Sequence, residues 1–140
     1  MKYDDVSWHL EGAFPDGLPE KAAATPTGMF FAWCVLSGLA SNEHLADFAP
    51  DVALLKARAT TPAEHLLKMD GKFSSADLSR EGNQFASAYY EAESGFLDDY
   101  EDTVGEEFPT LYHVPDTWEV FDRLAARIAA RYQAWKRDAR

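Results

Sequence analysis

A single cysteine, Cys34, rules out an intrachain disulfide. Set in an apolar run, it reads as a small buried hydrophobe rather than a nucleophile, and the chain suits a reducing compartment. Long apolar runs are also missing. The longest, Met29 to Leu36, falls far short of the roughly 20 residues a membrane span needs. The opening Met1-Lys2-Tyr3-Asp4-Asp5 lacks the basic-then-apolar order of a secretory leader, so a cytoplasmic location is expected. Metal motifs are absent as well. His9, His44, His65 and His113 have no zinc spacing, and no Glu-x-x-His pair of a di-iron bundle occurs. Asp70-Gly71-Lys72 begins like a calcium loop but puts lysine at the third ligand position and glycine at the second. Neither a metal nor a cofactor is expected.

The most informative absence is of positive charge. From Glu81 to Asp122 there are twelve carboxylates and no Lys or Arg, whereas Arg123 to Arg140 carries six of the thirteen basic residues. The net charge of -11 repels nucleic acid and anionic membrane, where affinity comes from neutralising phosphates, and attracts cations and basic protein surfaces. A basic protein partner is therefore the expected class, with nucleic acid and membrane excluded.

What is present argues for a folded body. The 140 residues fit one domain over 1–140, able to bury about two thirds of its extended surface. Apolar content of 46% and aromatic content of 14% exceed what a disordered acidic segment carries. The first 28 residues, broken by Gly12, Pro15, Gly17, Pro19, Pro26 and Gly28, read as irregular, with an extended stretch at Val6 to Leu10. Tyr3, Trp8 and Phe14 would be costly to expose, so this segment is expected to lie across the helical body.

Beyond Gly28 the periodicity is helical. Met29, Trp33 and Leu36 recur in a helix apolar on most sides, expected to be central. Shorter helices are expected over Asn42 to Phe48 and Pro50 to Arg58. Thr61, Pro62 and Glu64 form a capping-box start for Pro62 to Met69, which should present Leu66 and Leu67 inward. Asp70-Gly71 stops it, and Phe73 and Leu78 anchor a loop. A long region from Arg80 to Thr103 carries Phe85, Ala88 or Tyr89, Ala92, Phe96 and Tyr100 as its stripe, with Gly95 a dividing point. Asp116 is placed to cap a final helix whose stripe is Trp118, Phe121, Ala125, Ile128, Tyr132 and Trp135. The pattern predicts an all-α or nearly all-α bundle of five to seven helices, with the irregular amino-terminal segment packed on it. The last helix should cross the Met29–Leu36 helix and bury Trp33 and Ile128.

Two groups of side chains are candidates for function. The first is the acidic set Glu91, Asp98, Asp99, Glu101, Asp102, Glu106 and Glu107. Arg123, Arg127 and Arg131, each four apart, form one ridge, and the carboxylates from Glu91 to Glu107 are expected to meet it within the chain or in a symmetric homo-oligomer. The second is a polar patch with aromatic walls, made if Asp4, Asp5, Trp8 and His9 converge with Asn83, Tyr90 and His113. It would serve as a ligand site or as a hydrogen-bonded lock for the amino-terminal segment. Ser7 and Cys34 have no identifiable base partner, so enzymatic activity is the weaker expectation.

The phrases Tyr3-Asp4-Asp5-Val6-Ser7-Trp8-His9, Thr27-Gly28-Met29-Phe30-Phe31-Ala32-Trp33, Asp70-Gly71-Lys72-Phe73, Glu81-Gly82-Asn83-Gln84-Phe85-Ala86, Tyr89-Tyr90, Leu111-Tyr112-His113-Val114 and Asp116-Thr117-Trp118 span nearly the whole chain. Together they resemble an uncharacterised family of small acidic bacterial cytoplasmic domains. That family opens on Tyr-Asp-Asp-x-Ser-Trp-His and usually continues to a Phe-Pro pair, here Phe14-Pro15. The resemblance brings no established activity with it. In size and acidity the chain is similar to many immunity proteins that neutralise secreted bacterial toxins. The leading expectation is an interaction protein, immunity-like, that binds a basic partner through its acidic surface. The alternative is a small enzyme or ligand-binding module built on the amino-terminal patch.

Overall fold

Asp5 organises the beginning of the chain. It ends strand β1 (Lys2–Asp5) and caps helix α1 (Val6–Glu11), its carboxylate accepting from the Ser7 amide at 3.0 Å and hydroxyl at 2.8 Å. The computed structural model describes residues 1–138. Val6 to Leu10 is thus helical rather than extended, and the extended stretch lies just before it. β1 pairs antiparallel with β2 (Lys72–Ser74), Asp4 opposite Phe73 and Asp5 opposite Lys72, with an irregular register between Lys2 and Asp4. Trp8 is 49% exposed rather than packed, with the Lys2 ammonium 5.2 Å from its ring centroid.

After a 3-10 turn at Glu20–Ala24 comes the central helix α2 (Thr25–Leu36), buried from Thr25 through Val35. It starts earlier than its apolar run suggests because Pro26 falls in the first turn, where a missing amide costs nothing. Gly28 is therefore inside the helix. A Cβ there would come within 2.8 Å of the Pro62 carbonyl, so glycine sets how closely the segment starting at Pro62 crosses α2. Helices α3 (Asn42–Asp47), α4 (Ala49–Lys56) and α5 (Pro62–Leu67) follow, the last with the reciprocal Thr61–Glu64 capping box its sequence predicts. Leu66 is fully buried, but Leu67 is 38% exposed rather than inward. Asp70 and Gly71, at φ 59° and 71°, reverse the chain into β2.

Helix α6 (Arg80–Tyr89) and helix α7 (Phe96–Tyr100) are separated near Gly95, and α7 runs into a π-helical turn over Glu101–Gly105. Helix α8 (Trp118–Asp138) starts from Thr117, whose hydroxyl accepts from the Val120 amide. Asp116 is not its cap. It is drawn instead to Thr61 and the Ala63 amide of α5. The bundle contains eight α-helices among the described residues, α1 being the one the sequence reads as extended.

One continuous apolar core joins these elements, with Phe30, Phe73, Phe85 and Phe96 fully buried in an aromatic cluster. Trp33 and Ile128 are buried, and α8 reaches α2 through Trp33 and Tyr132, rings 5.5 Å apart. Of the predicted stripe, Phe121 and Ile128 are buried, and Leu124, outside it, is buried as well. No helix among the described residues is long and apolar enough to cross a membrane.

Candidate functional site

The arginine ridge and the acidic stretch meet within the chain. Asp99 is turned inward on α7, only 5% exposed, because it lies beside the stripe residues Phe96 and Tyr100. Arg131 Nε donates to its Oδ2 at 2.8 Å and Arg127 Nη1 to its Oδ1 at 2.8 Å, while the Tyr89 hydroxyl adds a bond at 2.7 Å. Burial alone would raise the Asp99 carboxyl. The bonds from Arg131, Tyr89 and Arg127 outweigh it and hold the group below the ordinary carboxylate range. Arg127 also reaches Asp102 at 2.7 Å, and Arg123 donates to the Thr103 carbonyl at 2.9 Å. All three ridge arginines thus dock on Asp99–Thr103, and two of them clamp the π-helical turn from outside.

This pairing divides the acidic set. Asp99 and Asp102 are neutralised internally. Asp98, Glu101 and Glu106 are exposed and form no ion pair among the described residues. With Asp102, Gly105 and the half-buried Phe108 they line an open concavity of about 540 Å³. Glu91 and Glu107 are exposed and do not line it. The floor is the π-helical turn, a geometry that recurs at functional positions because the extra residue per turn re-aims side chains. A groove with carboxylates on its rim and an aromatic ring at its edge suits an ammonium or guanidinium on an extended stem.

The amino-terminal candidates do not assemble into one patch. Asp4, His9 and Tyr90 come together, joined by Thr27 and Tyr112. The Asp4 carboxylate accepts from His9 Nε2 at 2.8 Å, the Tyr90 hydroxyl at 2.5 Å, the Thr27 hydroxyl at 3.0 Å and the Asp5 amide at 2.8 Å. Burial raises its carboxyl, and the bonds from His9 and Tyr90 more than reverse the shift. The ionised Asp4 accepts from His9 Nε2, and in the neutral ring Nδ1 then accepts from the Tyr112 hydroxyl at 2.6 Å. The Asp4–His9–Tyr112 chain has the order of a nucleophile-activating relay. Yet burial, with Asp4 nearby, pushes the Tyr112 phenol up, away from phenolate. The chain ties β1 and α1 to α2, the end of α6 and the turn Leu111–His113.

The other members face elsewhere. Asp5 pairs with Lys2 at 2.6 Å, which takes its carboxyl down to about 2. Asn83 accepts from the Tyr3 hydroxyl and donates to the Ser75 and Leu78 carbonyls. His113 bonds to the Thr110 hydroxyl at 2.8 Å, and Trp8 points outward.

Sequence reasoning missed a buried histidine pair. His44 Nε2 and His65 Nε2 are 3.1 Å apart among Phe31 and Phe48, and Asp77 Oδ1 stands 3.5 Å from His44 Nδ1. Separated by 21 residues, the two rings leave no spacing signal. Among the described residues, no group of three or more His, Cys, Asp or Glu side chains is arranged to hold a metal ion.

A family match covers most of this architecture. Residues 2–114 match the family described as a domain of unknown function, DUF7832, and the chain belongs to that family. The match takes in the amino-terminal network and the acidic groove and ends before α8, which supplies the arginine ridge. No curated protein and no solved structure matches the chain.

Proposed function

We propose that this protein is an interaction domain that binds a basic protein partner through the groove of Asp98, Glu101 and Glu106 around Phe108. One observation carries the reading. Arg127 and Arg131 are spent on Asp99 and Asp102, which leaves three carboxylates unpaired among the described residues and grouped at a concavity. The reading is immunity-like: a bacterial cytoplasmic protein whose acidic surface covers a basic patch on its target. Fast, electrostatically steered association is the property such a surface provides, and it weakens as salt rises. A symmetric partner is not required, since the arginine ridge has acceptors within the chain. Internal satisfaction of the Asp4–His9–Tyr112 chain weighs against an enzyme or ligand module at the amino terminus.

The test is affinity capture from native bacterial lysate with wild type and D98K/E101K/E106K side by side, at low and high salt. A basic protein retained by wild type and lost by both the triple variant and high salt supports the reading. Equal retention by the two proteins overturns it.

A further inference from the structure

A second cavity has a different chemistry. About 370 Å³ opens between the 3-10 turn at Glu20–Ala24, the first turn of α5 and the connection Tyr112–Asp116. Leu18, Leu67 and Val114 supply apolar wall, and Lys21, Glu64 and Asp116 supply charge of both signs. The volume falls in the range of about 300 to 1,000 Å³ typical of small-molecule sites.

The charges are not used up by one another. Asp116 is half-buried, and both its oxygens are held by neutral donors, the Thr61 hydroxyl and the Ala63 amide. Burial, with Glu64 alongside, raises its carboxyl above the ordinary range, and the bonds from Thr61 and Ala63, with a smaller contribution from the field of Lys21, only partly oppose this. Neither Asp116 nor Lys21 forms an ion pair among the described residues, and Glu64 spends one oxygen on its own capping box. A simple anion entering here meets two carboxylates, and a simple cation meets Lys21. A neutral apolar molecule would strip water from Asp116 and return nothing. A compact molecule bearing both an ammonium and a carboxylate on an aliphatic body answers all three charged groups and the wall together.

We propose that this cavity binds a free aliphatic α-amino acid. Its carboxylate faces Lys21, its ammonium faces Asp116 and Glu64, and its side chain packs on Leu18, Leu67 and Val114. The site is independent of the acidic groove and does not rest on the proposed partner.

The experiment is a titration of the full chain with L-leucine, followed by calorimetry and by amide chemical shifts. 3-Methylbutylamine and 4-methylpentanoate serve as the two half-ligands. The expected result is a saturable shift at Ala22, Glu64 and Val114 with leucine, and at least about tenfold weaker binding of either half-ligand, since each loses one charge-assisted contact. Lys21→Met and Asp116→Asn should each weaken leucine binding by about tenfold or more. Lys21 is exposed, so its variant keeps the wild-type unfolding midpoint and the comparison stands even if Asp116→Asn proves unstable. No saturable shift up to about 10 mM leucine, a regime already weaker than a functional small-ligand site needs, overturns the proposal. So does an affinity for the amine, or for leucine with Lys21→Met, equal to that of leucine with wild type.

Discussion

Asp99 meets Arg127, Arg131 and the Tyr89 hydroxyl while almost wholly out of water. Replacing it by alanine leaves a buried phenol without its acceptor, takes the carboxylate from Arg131 and leaves Arg127 with Asp102 alone. Asp99→Ala should therefore cost about 2 to 3 kcal/mol in urea unfolding. Truncation of Asp102, which is exposed and holds Arg127 alone, should cost under about 1 kcal/mol. Buried His65 contributes to the response to acid. Burial, reinforced by neighbouring His44 and only partly opposed by Asp51 and Asp77, takes His65 down to about 4 from its ordinary 6.5. Between those values the unfolded chain binds a proton that the folded chain refuses. Stability is thus fully present above about pH 6.5 and falls through the window to about pH 4, by on the order of 3 kcal/mol. Unfolding midpoints at pH 7, 5.5 and 4.5 should show that slope, and His65→Gln should flatten it.

At the scale of elements, β1 and α1 fasten the amino terminus to the helical body. Removing residues 1 to 14 takes away β1, α1 and their polar ties to Thr27, Tyr90 and Tyr112, along with Tyr3 and Val6 packed on the core. The loss should reach at least about 2 kcal/mol, and an unchanged urea midpoint would show that the segment is not a structural part. Ile128→Ala opens a cavity under α8 at about 2 to 5 kcal/mol. Gly28→Ala should be destabilising by about 1 to 3 kcal/mol, because the added methyl meets backbone of α5 rather than a side chain that can turn aside.

These elements also mark what sequence could convey. The Thr61–Glu64 cap and the α2 and α8 stripes were legible, because capping and periodicity are local. Helix α1 was not, since Asp5 becomes a cap only after β1 pairs with a strand some seventy residues away. Nor was Asp116, adjacent to the true cap Thr117, because its partners Thr61 and Ala63 lie on another helix. Within the site, the meeting of the arginine ridge with the acidic stretch could be read from spacing. The share falling to Asp99 followed from its place beside the inward stripe. The convergence of Asp4 and His9 with Thr27 and Tyr112 has no spacing to announce it.

For the whole molecule, a net charge of -11 is held on a fold that neutralises some carboxylates and leaves others exposed. The structural share is Asp99 with Asp102, and the share unpaired among the described residues is Asp98, Glu101 and Glu106 around the groove. These shares respond oppositely to charge reversal. Inserting cations among unpaired carboxylates relieves repulsion, whereas a cation at Asp99 confronts two arginines in a buried position. The most direct test is urea unfolding of D98K/E101K/E106K beside Asp99→Lys, with wild type as reference. The predicted result is a triple variant at least as stable as wild type and an Asp99→Lys variant weaker by about 3 to 5 kcal/mol. A triple variant that unfolds early, or an Asp99→Lys variant with an unchanged midpoint, would contradict the division of charge on which the proposed interaction surface rests.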